Sequence, residues 1–426
     1  MRKLFHKGNL SSLFSFKEEE TSSAFSTGHK PHRKRRITRK HAYGGLFFAG
    51  SLSLVYTAVG MFVGPNPSTM TAGSTSPSVK SALTTVPKVS LPPPVLHVKI
   101  PDAVKAIYMS SCVAATPTIR DRVIHIANTT EVNSIVVDIK DSSGILSYKA
   151  ADPALAQVAD ASACRNKDIG GLIEMLHKNN IYVIGRIAVF QDPYFVEKHP
   201  ELAVKRASDG TVWRDRKGIP WIDAGSREMW DYVILIARNA YSQGFDEINF
   251  DYVRFPADGD MSDISFPVSG TMSKPEVIRG FFAYLNSAMK NSGITTSADL
   301  FGMTTTSNDD LNIGQVLENA LPYFDYLAPM VYPSHYPDGF NGWANPNAHP
   351  YELIKFVMSI GAEKAIKAST TPLKLRPWLQ DFTMGSPSYG KKEVEDQIQA
   401  TYDSGLTSWM LWDPSNRYAG GALLRE

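Results

Sequence analysis

The chain has 426 residues, 43% hydrophobic and 20% charged, enough for an ordinary globular core, and a formal net charge of +2. That charge is unevenly spread. Residues 1–41 hold eleven Lys or Arg against three Glu, so the remainder is net acidic, and a basic nucleic-acid-binding face on a folded domain is not expected.

The chain opens with this basic tail (1–41), expected to stay cytoplasmic. No charged residue occurs from Ala42 to Val79, and Tyr43 to Val63 is mostly apolar. A helix of that length rises roughly 30 Å, the thickness of a bilayer's hydrocarbon core. With Lys30, Arg33, Lys34, Arg35, Arg36, Arg39 and Lys40 just before it, the positive-inside rule predicts an uncleaved signal-anchor helix over 42–64, with everything beyond translocated. Residues 65–99 are rich in Pro, Ser and Thr and have few large apolar side chains, which predicts a disordered, extended spacer.

From residue 100 to 426 the pattern alternates. Eight short β-rich runs, at 104–109, 134–139, 182–189, 247–253, 294–300, 326–332, 375–380 and 408–413, are separated by amphipathic stretches such as DIGGLIEMLHKNN and KKEVEDQIQATYDSG. Strands alternating with helices predict a parallel sheet, and eight units over this length predict an α/β fold, a (β/α)8 TIM barrel. Active sites of such barrels sit at the C-terminal strand ends. Cys112 and Cys164 belong to no CxxC pair; they read either as one disulfide, if the domain is exported, or as two buried thiols.

Polar residues gather where the barrel requires them. In the fourth run, Glu247, Asn249 and Asp251 share one face while Ile248 and Phe250 share the other, which places three polar groups inside, Asp251 nearest the mouth. Burying such charge without partners is costly, and Arg254 is placed to pair with Asp251. The same alternation turns Asp138 and Lys140 inward on the second run, with Asp141 at the turn, Arg186 on the third, and Ser297 and Asp299 on the fifth. Tyr332 and His335 follow the sixth, Trp378 lies on the seventh, and Trp412 and Asp413 end the eighth. Paired carboxylates beside aromatic faces, among them Trp213 and Trp221, suit glycoside hydrolysis: one acid protonates the leaving oxygen, while the other attacks the anomeric carbon or activates water.

The segments IVVDIKDSSG, YVIGRIAVFQDPYF, WRDRKGIPWIDAGSREMWDY, EINFDYVRFP, APMVYPSHY and SWMLWDPSNRY resemble the bacterial family of glycosyl hydrolase TIM-barrel domains over roughly residues 103–420. The resemblance implies a glycoside-hydrolase-related barrel with a carbohydrate-active role and no cofactor. FDYVRFP is also similar, more distantly, to glycosidase barrels that carry an Asp nucleophile at the end of the fourth strand, which points to Asp251 as nucleophile or base. Asp299 is the first choice for the partner acid, with Asp138 and Glu247 behind it. The expected ligand is a cell-envelope or extracellular polysaccharide, contacted by Arg254, Lys140, Asp141, Arg186, Tyr332, His335, Trp378, Trp412 and Asp413. A non-catalytic, polysaccharide-binding barrel is the alternative. The absence of HExxH, of an HxH on the first strand, of GxSxG and of GxGxxG argues against zinc, serine-hydrolase and nucleotide chemistries.

Overall fold

The computed structural model describes residues 95–150, 152–160 and 164–425. The expected tail, membrane helix and nearly all of the linker lie outside those residues. Among the described residues no helix is long and apolar enough to cross a membrane.

Eight strands form one closed, all-parallel barrel in chain order: β1 (Lys105–Met109), β2 (Ser134–Lys140), β3 (Tyr182–Ala188), β4 (Glu247–Asp251), β5 (Thr295–Phe301), β6 (Tyr326–Met330), β7 (Trp378–Gln380) and β8 (Trp409–Trp412), with β8 paired to β1. The crossover helices include Pro117–Thr129, Ile169–Lys178, Arg227–Ser242, Lys274–Met289, Pro350–Lys367 and Lys391–Asp403. Their starts follow local chemistry. Ser226 accepts a hydrogen bond from the Met229 amide at 3.2 Å, and Ser273 and Glu276 form a capping box.

Strand alternation separates two apolar groups. Ile135, Val137, Ile139, Ile248, Phe250, Ala298 and Leu300 face the helices. Tyr108, Val136, Tyr182, Ile184, Trp378 and Met410 fill the barrel interior. Each fully buried large side chain contributes about 1.5–3 kcal/mol of transfer free energy, so the barrel is a packed core and only its rim is available for ligands.

The barrel departs from the expected pattern in three places. Regular pairing of β7 with β6 begins only at Trp378, opposite Met330, because Pro377 has no N–H to donate; before it Arg376 N–H donates to the Leu327 carbonyl at 2.8 Å, and on the other side the Pro377 carbonyl accepts from Met410 N–H of β8 at 2.9 Å. Between β5 and β6, where the alternation calls for a crossover helix, the stretch IGQVLENALPY forms only one helical turn at Leu317–Ala320. On β2 the register against β3 shifts between Asp138 and Lys140. Such an irregularity breaks the in–out alternation, with consequences for Lys140 described below.

Cys112 and Cys164 are joined in a disulfide across a sequence separation of 52 residues. It ties the short helix Ser111–Ala115, after β1, to the connection between β2 and β3. Closing a loop of this length contributes about 4 kcal/mol in the chain-entropy account.

Candidate active site

At the C-terminal end of the barrel lies a cavity of about 1250 Å3, counting its open mouth. Two long connections build its wall, residues 189–226 after β3 and 252–273 after β4. They are joined by the Lys205–Ser265 bridge and by Asp223, whose Oδ2 accepts from the Val268 and Ser269 amides at 2.8 and 3.0 Å. Asp215 knots the first of them: its oxygens accept from Gln191 Nε2 (3.1 Å), Trp221 Nε1 (3.0 Å) and the Lys217 and Ile219 amides.

The floor is a cluster of three carboxyls around one guanidinium. Strand register sets Asp138 beside Arg186 and Arg186 beside Asn249 across β2, β3 and β4. Arg186 Nη1 donates to Asp138 Oδ1 at 2.8 Å. Its Nη2 and Nε donate to Asp251 Oδ2 at 2.5 and 3.1 Å, and Nε lies 3.8 Å from Asp299 Oδ2. Asp299 Oδ1 accepts from Asn249 Nδ2 (2.9 Å) and Trp378 Nε1 (2.8 Å), while Tyr108 donates to Asp138 Oδ2 at 2.5 Å. The Arg186 guanidinium also lies 5.1 Å from the Trp412 ring centre, and Trp412 stacks on Tyr108.

The electrostatics follow from crowding acids in a dry place. Burial, then the neighbouring Asp251 carboxylate, pushes Asp299 well above the usual carboxylate range. Burial also raises Asp138, against the pull of Arg186. For Arg186 burial opposes the charge, but Asp251 and Asp138 outweigh it and hold the guanidinium protonated. Asp299 therefore keeps its proton to a higher pH than an ordinary aspartate, beside an Asp251 that takes two guanidinium hydrogen bonds.

Asp251 is held by its backbone as well. The next residue, Tyr252, has φ 54°, a conformation rare for an aromatic residue, and its amide donates to Asp251 Oδ1 at 2.6 Å. Strain of this kind persists where the surroundings over-determine it, and it gathers at working sites.

Of the residues expected from sequence, Asp251, Asp299, Arg186, Arg254, Tyr332, His335, Trp378 and Trp412 line the cavity, as does Trp221. Others do not. Glu247 lies a layer deeper, fully buried, accepting from Ser297 Oγ (2.6 Å) and from Arg376 Nη1 (2.9 and 3.1 Å), so it closes the barrel interior instead of facing a ligand. Lys140, displaced by the β2 irregularity, is buried against Asp192 at 2.7 Å. Asp141 caps its own turn through the Ser143 amide at 2.9 Å, and Asp413 caps the 415–417 turn through the Ser415 and Arg417 amides. Trp213 is buried, donating to the Asp260 carbonyl at 3.0 Å. The guanidinium on Asp251 belongs to Arg186; Arg254 packs over Trp221 (4.8 Å) and Phe301 (4.7 Å) on the wall. The sequence reading missed Tyr108, whose inward register on β1 was its only signal, and two carboxyls in the connections around the mouth, Asp215 and Asp258.

The site is thus the mouth of a (β/α)8 barrel, with acidic strand ends under an aromatic-walled cavity. The chain belongs to the family described as "Putative glycosyl hydrolase domain", whose model matches residues 106–418. Among solved structures, a hypothetical protein from Ruminiclostridium thermocellum ATCC 27405 is 35% identical, with 49% of this chain and 98% of that one covered and a TM-score of 0.41. The PgaB (BpsB) glycoside hydrolase domain from Bordetella bronchiseptica shares the fold at 12% identity, with 75% and 97% covered and a TM-score of 0.53. The α-galactosidase TtGalA from Thermus thermophilus, solved with p-nitrophenyl α-D-galactopyranoside, is 12% identical over 75% of this chain and 60% of that one, with a TM-score of 0.44. No curated protein matches the chain.

Proposed function

We propose that the barrel is a glycoside hydrolase that cuts O-glycosidic bonds in a cell-envelope or extracellular polysaccharide, with Asp251 as the reacting carboxylate. The observation that carries this reading is the convergence of Asp138, Asp251 and Asp299 on Arg186 beneath an aromatic-walled cavity. Arg186 donates two hydrogen bonds to Asp251 and fixes the orientation from which it attacks the anomeric carbon or takes a proton from water. Asp299, 1% exposed with Oδ1 occupied by two donors, acts on Asp251 from behind, as a neighbour whose burial favours its protonated form. Trp412 and Tyr332 line the cavity in which a sugar would lie. The Cys112–Cys164 disulfide supports an oxidising location outside the membrane, in keeping with the basic residues before the apolar segment 42–64.

Polysaccharide binding without cleavage is the second reading, favoured by the engagement of all three floor acids with Arg186. The two separate on one assay. The full-length chain is incubated with bacterial envelope and exopolysaccharide glycans while new reducing ends and retained glycan are both followed. Hydrolysis gives reducing ends that rise with time; binding alone gives retention with none.

A further inference from the structure

Cleaving a glycosidic bond requires a second group, one that hands a proton to the departing oxygen from inside the cavity. This inference rests on the hydrolase reading and asks which carboxyl does so. Asp138 lies behind Arg186, bound by Arg186 and Tyr108. Asp299 is held by Asn249 and Trp378 and is almost fully buried. Asp215 is consumed by four donors from its own loop. One cavity carboxyl is left: Asp258, in the connection after β4, partly exposed on the cavity wall, with no hydrogen bond or ion pair among the described residues.

Its backbone, by contrast, is anchored on both sides. Phe255 N–H donates to the Ile313 carbonyl at 2.9 Å. Gly259, at φ +117°, lies so close to Trp213 that a Cβ there would stand 2.5 Å from Cζ2, and Trp213 Nε1 donates to the Asp260 carbonyl at 3.0 Å. An unengaged carboxyl on a pinned stretch of chain, seven residues from Asp251 and on the same cavity, is arranged for a substrate and not for the fold. The geometry points to Asp258 as the proton donor to the leaving group of the glycosidic bond.

Its surroundings suit the task. Burial, then Asp215, raises the Asp258 carboxyl above the usual range, while Arg254, Arg216 and Lys217 pull it down and lose. In the bond-breaking step the C1–O electron pair stays with the oxygen, which takes the Asp258 proton and departs as an alcohol. C1 is taken up by the Asp251 carboxylate or by a water that Asp251 deprotonates. Asp258 is left ionised.

The test uses full-length parent, Asp258→Asn, Asp299→Asn and Asp251→Asn on phenyl and 2,4-dinitrophenyl glycosides of glucose, galactose and N-acetylglucosamine, both anomers, reading kcat/KM, with melting curves to confirm folding. Dinitrophenolate leaves without a proton. Asp258→Asn is expected to lose about 10²–10⁴-fold on the phenyl glycoside and less than about tenfold on its dinitrophenyl partner. The high-pH fall of the parent's kcat/KM should disappear in this variant. Equal losses on both leaving groups, no loss on either, or leaving-group dependence in Asp299→Asn instead would overturn the assignment and leave the hydrolase reading standing. A parent that cleaves none of these glycosides and no glycan would overturn both.

Discussion

Replacing Arg186 with Met removes the one guanidinium among three floor carboxyls while keeping much of the side chain's length. Arg186 is 6% exposed and holds Asp138 at 2.8 Å and Asp251 at 2.5 and 3.1 Å, with Asp299 at 3.8 Å. Breaking a buried ion pair by removing one partner costs about 3–5 kcal/mol, because the other charge is left uncompensated. The cost depends on pH in a definite direction. Asp138 and Asp299 already have folded pKa values above their unfolded ones, so the stability they contribute is present at low pH and is lost as pH rises through the folded values. Without Arg186 that loss deepens. Urea unfolding should therefore show a smaller deficit for Arg186→Met at pH 4 than at pH 8, where it reaches about 3–5 kcal/mol. An equal deficit at both pH values would mean that only packing was lost, and the electrostatic account of the floor would be refuted.

Three more outcomes are expected. Burial, and then Asp413, push Asp381 up to about 7, so the folded protein loses stability as pH rises from about 4 to 7; Asp381→Asn should match the parent at pH 4 and exceed it at pH 8 by at most about 4 kcal/mol, and a pH-independent difference in unfolding free energy would contradict this. Glu247→Gln, which leaves Arg376 buried with its partner's charge gone, should cost about 3–5 kcal/mol in urea while kcat/KM per folded molecule stays within about threefold; a selective loss of activity would return Glu247 to the chemistry. The double replacement Cys112→Ser, Cys164→Ser should lower unfolding free energy by about 4 kcal/mol and make it insensitive to reductant; an undiminished free energy would show that the bridge is not formed in solution.

Much of the barrel was legible because its signals are local. Alternating runs such as EINFD place Ile248 and Phe250 against the helices and Asn249 and Asp251 inside, and the same period of two turned Arg186 and Asp299 inward correctly. What escaped depended on geometry that no short window carries. Lys140 fell out of the inward row because the β2 register shifts beside it, and a shift is a property of the strand pair. Arg254 was expected on Asp251 for its nearness in sequence, yet Arg186, 65 residues away, reaches it from the adjacent strand, while the turn at Tyr252 carries Arg254 onto Trp221. Asp258 gave no sign at all: its place on the cavity is set by Trp213 and Gly259, from two different connections.

The most direct test of the central claim compares the full-length parent with Asp251→Asn on whichever glycan or aryl glycoside the parent cleaves, measuring kcat/KM beside affinity. The account expects kcat/KM to fall by at least about 10³-fold while the glycan is still bound within about tenfold of the parent's affinity. A variant that cleaves as fast as the parent, with Asp251 no more than an anchor for Arg186, would contradict it.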